Sequence, residues 1–175
     1  MIIPLLAIVV TLFCLVQPCD GQQVFSGQVI GVTDGDTIKV FHDGIVSKIR
    51  LANIDCPEHN QAFGQAAKLF TSNYVFGKFV QIADEGNDRY GRVIGEVAVL
   101  NTPLDLNHAL VAYGLAWAYR QYCHDSSFYS LESSARSQHI GLWSDANAQA
   151  PWDFRKQEKQ HRLLYKSNHL LSLFH

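Results

Sequence analysis

Two carboxylates stand either side of one glycine in the stretch VTDGDTIKV, residues 32–40. Asp-Gly is a tight-turn signal, and the alternating Thr37, Ile38, Lys39, Val40 that follows reads as a strand. A turn uses one Asp for its own side-chain-to-backbone bond. The second, Asp36, at the mouth of the strand, repels Asp34 unless something cationic sits beside them. Three further segments carry polar groups where a fold would prefer apolar ones. Arg50 interrupts the run IRLANI, Asp55 and Glu58 bracket Pro57 in IDCPE, and DRYGR contributes Arg89 and Arg92, with Arg92 opening RVIGEVAVL.

Each segment has a bland reading. DGD fits a solvated hairpin turn, Arg50 a strand's solvent face, and Asp55 with Glu58 a loop stiffened by proline. Arg92 fits an edge charge that blocks aggregation, and Tyr90–Gly91 plain turn residues. Singly these readings are the commoner ones; jointly they explain less than a shared chemistry does. Two Asp carboxylates with a loop carbonyl make a hard-oxygen site suited to Ca²⁺. Two guanidiniums match phosphate geometry and can hold charge that develops on a phosphodiester. One further carboxylate can position or deprotonate a water. A cation, two Arg and one Glu equip a phosphodiesterase.

The elements that must position these groups are legible in outline. Residues 24–53 read as three short strands, VFSGQVIGV, TIKVFH and IVSKIRLANI, with turns at Asp34–Gly35 and Asp43–Gly44. Phe63, Ala66, Ala67, Phe70 and Tyr74 recur at helical spacing, and Gly77 stops that helix. KFVQIA and RVIGEVAVL read as two more strands joined by DEGNDRYG. Leu106, Ala109, Leu110 and Tyr113 line a second helix, and Phe128, Leu131 and Ala135 a third that ends at Gly141. Five strands with a helix between the third and fourth is the element order of a five-stranded Greek-key barrel of the OB type, a β-rich α+β fold. Past Pro151 the chain turns polar and basic and reads as a C-terminal extension over 151–175, in the form of a single amphipathic helix if it is ordered.

The 175 residues suffice for one compact domain, expected over 22–150. With a formal net charge of −2, no global positive field advertises a polyanionic partner, so nucleic-acid binding must come from local cations in a cleft. From Ile2 to Val16 there is no charge, short for a bilayer span of about 20 residues but suited to the apolar region of a secretory signal. A signal peptide over 1–21, with cleavage after Gly21, predicts an exported chain, secreted or periplasmic. There is no C-x-x-C or H-E-x-x-H motif, and the scattered His argue against structural zinc.

DGDTIKV, IRLANIDCPE, DRYGR, LVAYGLAWAY and GLW, in this order, resemble the staphylococcal nuclease (thermonuclease) family over roughly residues 24 to 145. The resemblance implies an OB barrel with three helices and Ca²⁺-dependent hydrolysis of DNA and RNA, leaving a 3′-phosphate and a 5′-hydroxyl. It implies Asp36 and Asp55 as Ca²⁺ carboxylates, the Cys56 backbone carbonyl as a third ligand, and Asp34 as an outer carboxylate. Arg50 and Arg92 are then the arginines on the scissile phosphate, and Glu58 the water-positioning carboxylate. Tyr90, Tyr119 and Tyr122 are candidates for substrate contact. DNA and RNA are the expected partners of a monomer with no stable protein partner. Because Cys123 follows a segment that borders the nucleotide pocket in this family, and export favours oxidation, a Cys56–Cys123 disulfide is expected. The competing reading is a non-catalytic OB-fold module that binds nucleic acid; such modules typically lose the Glu or an Arg, and this chain keeps all three.

Overall fold

A computed structural model describes residues 23–172, with side chains through Lys166. The apolar N-terminal segment and its expected cleavage point lie outside the described residues. The elements are β1 (Gln23–Asp34), β2 (Thr37–His42), β3 (Ile45–Leu51), β4 (Ile54–Asp55), α1 (Gly64–Val75), β5 (Phe79–Asn87) and β6 (Val93–Val99). After them come α2 (Leu106–Ala112), β7 (Trp117–Ala118), α3 (Ser126–Ser137), a 3-10 turn (Gly141–Ser144) and α4 (Pro151–Ser172). Strands β1-β2-β3-β6-β5 close into a barrel. Only β3 and β6 pair in parallel; the other neighbours are antiparallel.

Period-2 alternation fills the barrel. Ile38 and Val40 of β2, Ile49 and Leu51 of β3, Val80 and Ile82 of β5, and Val97 and Val99 of β6 are all buried. Full burial of one such side chain stabilises by about 1.5–3 kcal/mol. Ile49 and Leu51 point inward, so Arg50 between them stands on the outer wall. The expected α+β barrel is present, and among the described residues a fourth α-helix joins the three expected beside it. The polar tail past Pro151 is α4: proline suits the first helical position because its missing N–H has no intrahelical partner to lose.

Two boundaries differ from the sequence reading in ways that matter. The third strand was expected to run through Ile54, but it ends at Leu51. Asn53 turns the chain with a left-handed φ of 66°, and fully buried Asn107 of α2 holds the bend from behind. Its Nδ2 donates to the carbonyls of Ala52 and Gly95, and its Oδ1 accepts the Val97 N–H. Ile54 and Asp55 then pair with Ala118 and Trp117 in a second small sheet. Strand β5 overruns its expected end at Ala83, because Asp84 pairs with Gln23 of β1 and Gly95 of β6, and Asn87 with Val93 of β6.

The expected Cys56–Cys123 disulfide is corrected: both cysteines are free and buried. Their thiols face different elements. Cys56 Sγ lies against Gly35 beside Ala67 of α1, whereas Cys123 Sγ donates to the Asp125 carbonyl at the start of α3. Burial pushes both thiols above their ordinary range, Cys56 strongly, which makes them poor nucleophiles.

Candidate active site

The turn between β1 and β2 explains its glycine by proximity. A Cβ on Gly35 would come within 2.8 Å of Ala67 and 3.0 Å of Cys56, so only glycine lets α1 and the loop after β4 close over the turn. Thr71 of α1 donates to the Gly35 carbonyl at 2.6 Å. Asp34 stays exposed, while Asp36 is buried. Asp36 Oδ1 accepts from the Thr37 hydroxyl, and Oδ2 accepts the Cys56 N–H at 3.0 Å.

Arg50 reaches along the outer wall into this cluster. Its Nη1 donates to the Leu51 and Ile54 carbonyls at 2.7 and 3.0 Å. Its Nη2 lies 2.8 Å from Asp55 Oδ1 and 3.2 Å from Asp36 Oδ2. One nitrogen therefore bridges both carboxylates. Burial disfavours the Arg50 charge, but Asp36 and Asp55 outweigh it and hold the guanidinium above its ordinary value. For Asp55 burial dominates: it pushes the carboxyl up despite its two arginine partners.

Glu58 sits at the end of the same loop, part exposed. Its N–H donates to Gln61 Oε1, and Gln61 Nε2 donates in turn to the Gln149 carbonyl just before α4. Gly64 is required here, since a Cβ would fall 1.8 Å from the Glu58 carbonyl oxygen. Arg92 is placed by register. Arg50 pairs with Ile94 across the parallel β3–β6 ladder, so Arg92, two residues earlier, lies on the same sheet side. No hydrogen bond links Arg92 to Arg50, Asp36, Asp55 or Glu58. Its guanidinium bonds Asp88 at 2.6–2.7 Å and lies 5.7 Å from the Tyr90 ring centre. Burial pushes Asp88 up, but bonds from the Arg92 backbone and side chain prevail and leave it below its ordinary value.

Two site residues were not anticipated, both on α4. Arg155 Nη2 donates to Asp55 Oδ2 at 2.7 Å, and Nη1 to Glu58 Oε1 at 2.7 Å and Asp55 Oδ1 at 3.3 Å. Trp152 stacks on Tyr119 with ring centres 5.3 Å apart and planes 5° from parallel, and presents an edge to Trp117. Tyr122 meets Tyr119 edge-on at 4.9 Å and is largely exposed, as is Tyr90. Tyr119 and Tyr122 are thus neighbours, whereas Tyr90 belongs to the Arg92 hairpin. The local signal for α4 was PWDFR: a helix-starting proline, an aromatic, and an arginine three residues after it.

A family model described as staphylococcal nuclease homologue matches residues 48–145. The chain belongs to the staphylococcal nuclease family. A micrococcal nuclease of Shigella flexneri is 42% identical over 144 residues, spanning 77% of this chain and 83% of that protein. An uncharacterized endonuclease of Haemophilus influenzae is 38% identical over 156 residues, 89% and 86% of the two chains. Protein ParB of Escherichia coli is 39% identical over 145 residues, 78% and 82%. As a staphylococcal nuclease homologue the chain is an endonuclease, and its substrates are nucleic acids.

The matched span opens at Lys48, two residues before Arg50, and ends before α4. Among the described residues no three or more His, Cys, Asp or Glu side chains gather into a metal cage. The donor set nonetheless fits a hard cation: two desolvated carboxylates converge on one Arg50 nitrogen, backbone carbonyls are the other oxygens of the loop, and burial holds both cysteine thiols above their ordinary range. Such ions take carboxylates, carbonyls and water together.

Proposed function

We propose that this chain is a Ca²⁺-dependent endonuclease that cleaves both DNA and RNA and leaves 3′-phosphate and 5′-hydroxyl ends, and that it acts after export through its apolar N-terminal segment. The observation that carries the reading is the single Arg50 nitrogen bonded to both Asp36 and Asp55, with Glu58 anchored in the same loop. Carboxylates this close would repel a phosphodiester unless a cation intervened, and a bare nucleic-acid-binding module has no use for them. Asp36, Asp55 and the Cys56 carbonyl would hold Ca²⁺, which would polarise the phosphodiester and offset charge on its oxygens.

The side chains divide the remaining work. Glu58 keeps Oε1 on Arg155 and has Oε2 without a protein partner among the described residues, so Oε2 can accept a hydrogen bond from the attacking water and take its proton. The water oxygen bonds to phosphorus, and the bond from phosphorus to the 5′-oxygen breaks. That oxygen leaves as an alkoxide and takes its proton from bulk water. Arg50 and Arg92, on one sheet side, donate to the non-bridging oxygens as negative charge grows there. Arg92 can exchange Asp88 for phosphate without disturbing the core. Exposed Tyr122 and Tyr90 present rings on which bases can stack, while Tyr119 is covered by Trp152.

The test is cleavage of single-stranded DNA and RNA with Ca²⁺, with Mg²⁺ and with a chelator. Both polymers should be cut with Ca²⁺, chelation should abolish cutting, and Mg²⁺ should substitute poorly because it demands tight octahedral geometry. Products should join a 5′-phosphorylated adapter at their 3′ ends only after a phosphatase removes the 3′-phosphate, and their 5′ ends should accept phosphate from a polynucleotide kinase directly. Full activity under chelation, or 5′-phosphate ends, would overturn the finer assignment.

A further inference from the structure

The side of α4 that enters the site does not end there. Trp152 and Arg155 are followed by Lys159, Arg162 and Lys166, at i+4, i+7 and i+11 from Arg155. At helical spacing those positions share one face. Trp152 and Arg155 fix where that face looks, because Trp152 lies on Tyr119 and Arg155 on Asp55 and Glu58. The stripe therefore continues, beyond the site, the face that meets Tyr119, Asp55 and Glu58. Lys159, Arg162 and Lys166 are exposed, and among the described residues none forms an ion pair. Of the two acidic residues in the first four turns, Asp153 lies on the other side of the helix, and Glu158 at the stripe's margin.

Charge placement makes this more than a solvated helix face. The chain as a whole is slightly acidic, with a formal net charge of −2, and its catalytic cluster brings several carboxylates to the place where a polyanion must bind. Arg50 and Arg155 are committed to those carboxylates, and Arg92 to Asp88. The cations left free to neutralise phosphates beyond the scissile one must lie elsewhere, and α4 supplies them in line. From Arg155 to Lys166 the helix rises about 16 Å, the length of about five phosphates along one B-form strand.

We propose that the Lys159–Arg162–Lys166 face of α4 is a substrate track that binds the phosphate backbone of the nucleic acid to one side of the scissile bond. The assignment rests on the nuclease reading above and extends it to substrate length. A short substrate reaches only the Arg50, Arg92 and Glu58 site. A longer one also lies along α4, so the track raises affinity for polymers without touching the chemistry.

The test is K159Q/R162Q/K166Q in the full chain, with circular dichroism to confirm an unchanged fold. Binding of a fluorescein-labelled single-stranded 20-mer is read by anisotropy in chelator over a salt series. Steady-state cleavage with Ca²⁺ is read on the 20-mer and on a dinucleotide. The variant should bind the 20-mer about tenfold more weakly, with a log Kd against log salt slope shallower by about 2. KM for the 20-mer should rise in step while kcat, and every parameter for the dinucleotide, stay unchanged. Wild-type affinity and slope in the variant would overturn the track, as would equal losses on both substrates. Loss of binding to phosphatidylserine vesicles with oligonucleotide affinity unchanged would assign the stripe to a membrane and also overturn it. A wild-type chain that binds the 20-mer but cleaves nothing with Ca²⁺ would sink the nuclease reading while leaving the track to stand on its salt slope.

Discussion

Arg50 on β3 and Arg92, immediately before the neighbouring β6, lie on one side of the sheet and are assigned to one phosphate, yet the protein treats them differently. Arg50 donates to two backbone carbonyls and to buried Asp55 and forms an ion pair with buried Asp36, with its side chain 15% exposed. Arg92 is 29% exposed and bonds one carboxylate, Asp88, four residues away in its own hairpin. The first is built into the wall of the site and bridges its two carboxylates. The second hangs from a loop and can change partner. A catalytic pair can thus be split into a fixed member that organises the site and a mobile member that meets the substrate.

The largest effect should come from Arg50→Ala. Removing one partner of a buried ionic cluster leaves Asp36 and Asp55 short of a cation, so the variant should lose about 3 kcal/mol of stability in urea titration. Its kcat/KM should fall by at least about 10³. Arg50→Lys should not rescue either quantity, because one ammonium cannot span four acceptors in a fork. A loss of stability below about 1 kcal/mol would collapse the contrast. Arg92→Ala should lower kcat/KM by about 10²–10³ but keep stability within about 1 kcal/mol of wild type, as for a part-exposed pair. A large stability loss would make Arg92 a second fixed member.

Asp88→Asn keeps the hairpin's side-chain acceptor but weakens the hold on Arg92. KM should change by about tenfold or less, with the melting temperature unmoved. The smallest effect probes the barrel wall beside the pair. Burial, with Asp105 next, pushes Glu96 above its ordinary value, and burial with Glu96 and Asp84 does the same to Glu85. A carboxylate whose folded pKa is raised contributes stability that is fully present below its unfolded pKa and is lost as pH rises through the folded one. Glu96→Gln still offers Asn53 an acceptor oxygen and removes that loss. Its melting temperature relative to wild type should climb from no difference near pH 4 to a gain of about 1–2 °C at pH 7. A gain that instead shrinks with pH would contradict the sign.

Much of this was legible before any coordinates. Asp-Gly turns and period-2 runs located the barrel strands, and Arg50 announced itself as a charge inside an apolar run. What was hidden depended on partners far along the chain. Nothing local in LANID shows that Asn107 will hold the bend after Leu51. The DEGND continuation of β5 is polar and reads as loop, because its pairing lies past the core where apolar faces are not needed. Arg155 reads as one more charge in a basic tail, since its meaning comes from Asp55 and Glu58. The disulfide expectation failed because two segments bordering one pocket can still aim their thiols at different neighbours.

The bond from Arg155 to Asp55 joins residues 100 positions apart, and that separation bears on the order in which the molecule assembles. The barrel can form from strands that are mostly sequence neighbours, before α4 has anything to bind. Seating α4 is then a late event, and closing so long a loop costs only slightly more than closing a shorter one. The reverse step is independent too. From Lys156 to Lys166 the helix is exposed, so α4 can lift away as a unit while the barrel stays folded, with an opening free energy below that of global unfolding. Amide hydrogen exchange should therefore be faster in α4 than in β2 or β3. Each opening would release Glu58 from Arg155 and uncover the face of Tyr119 on which Trp152 lies.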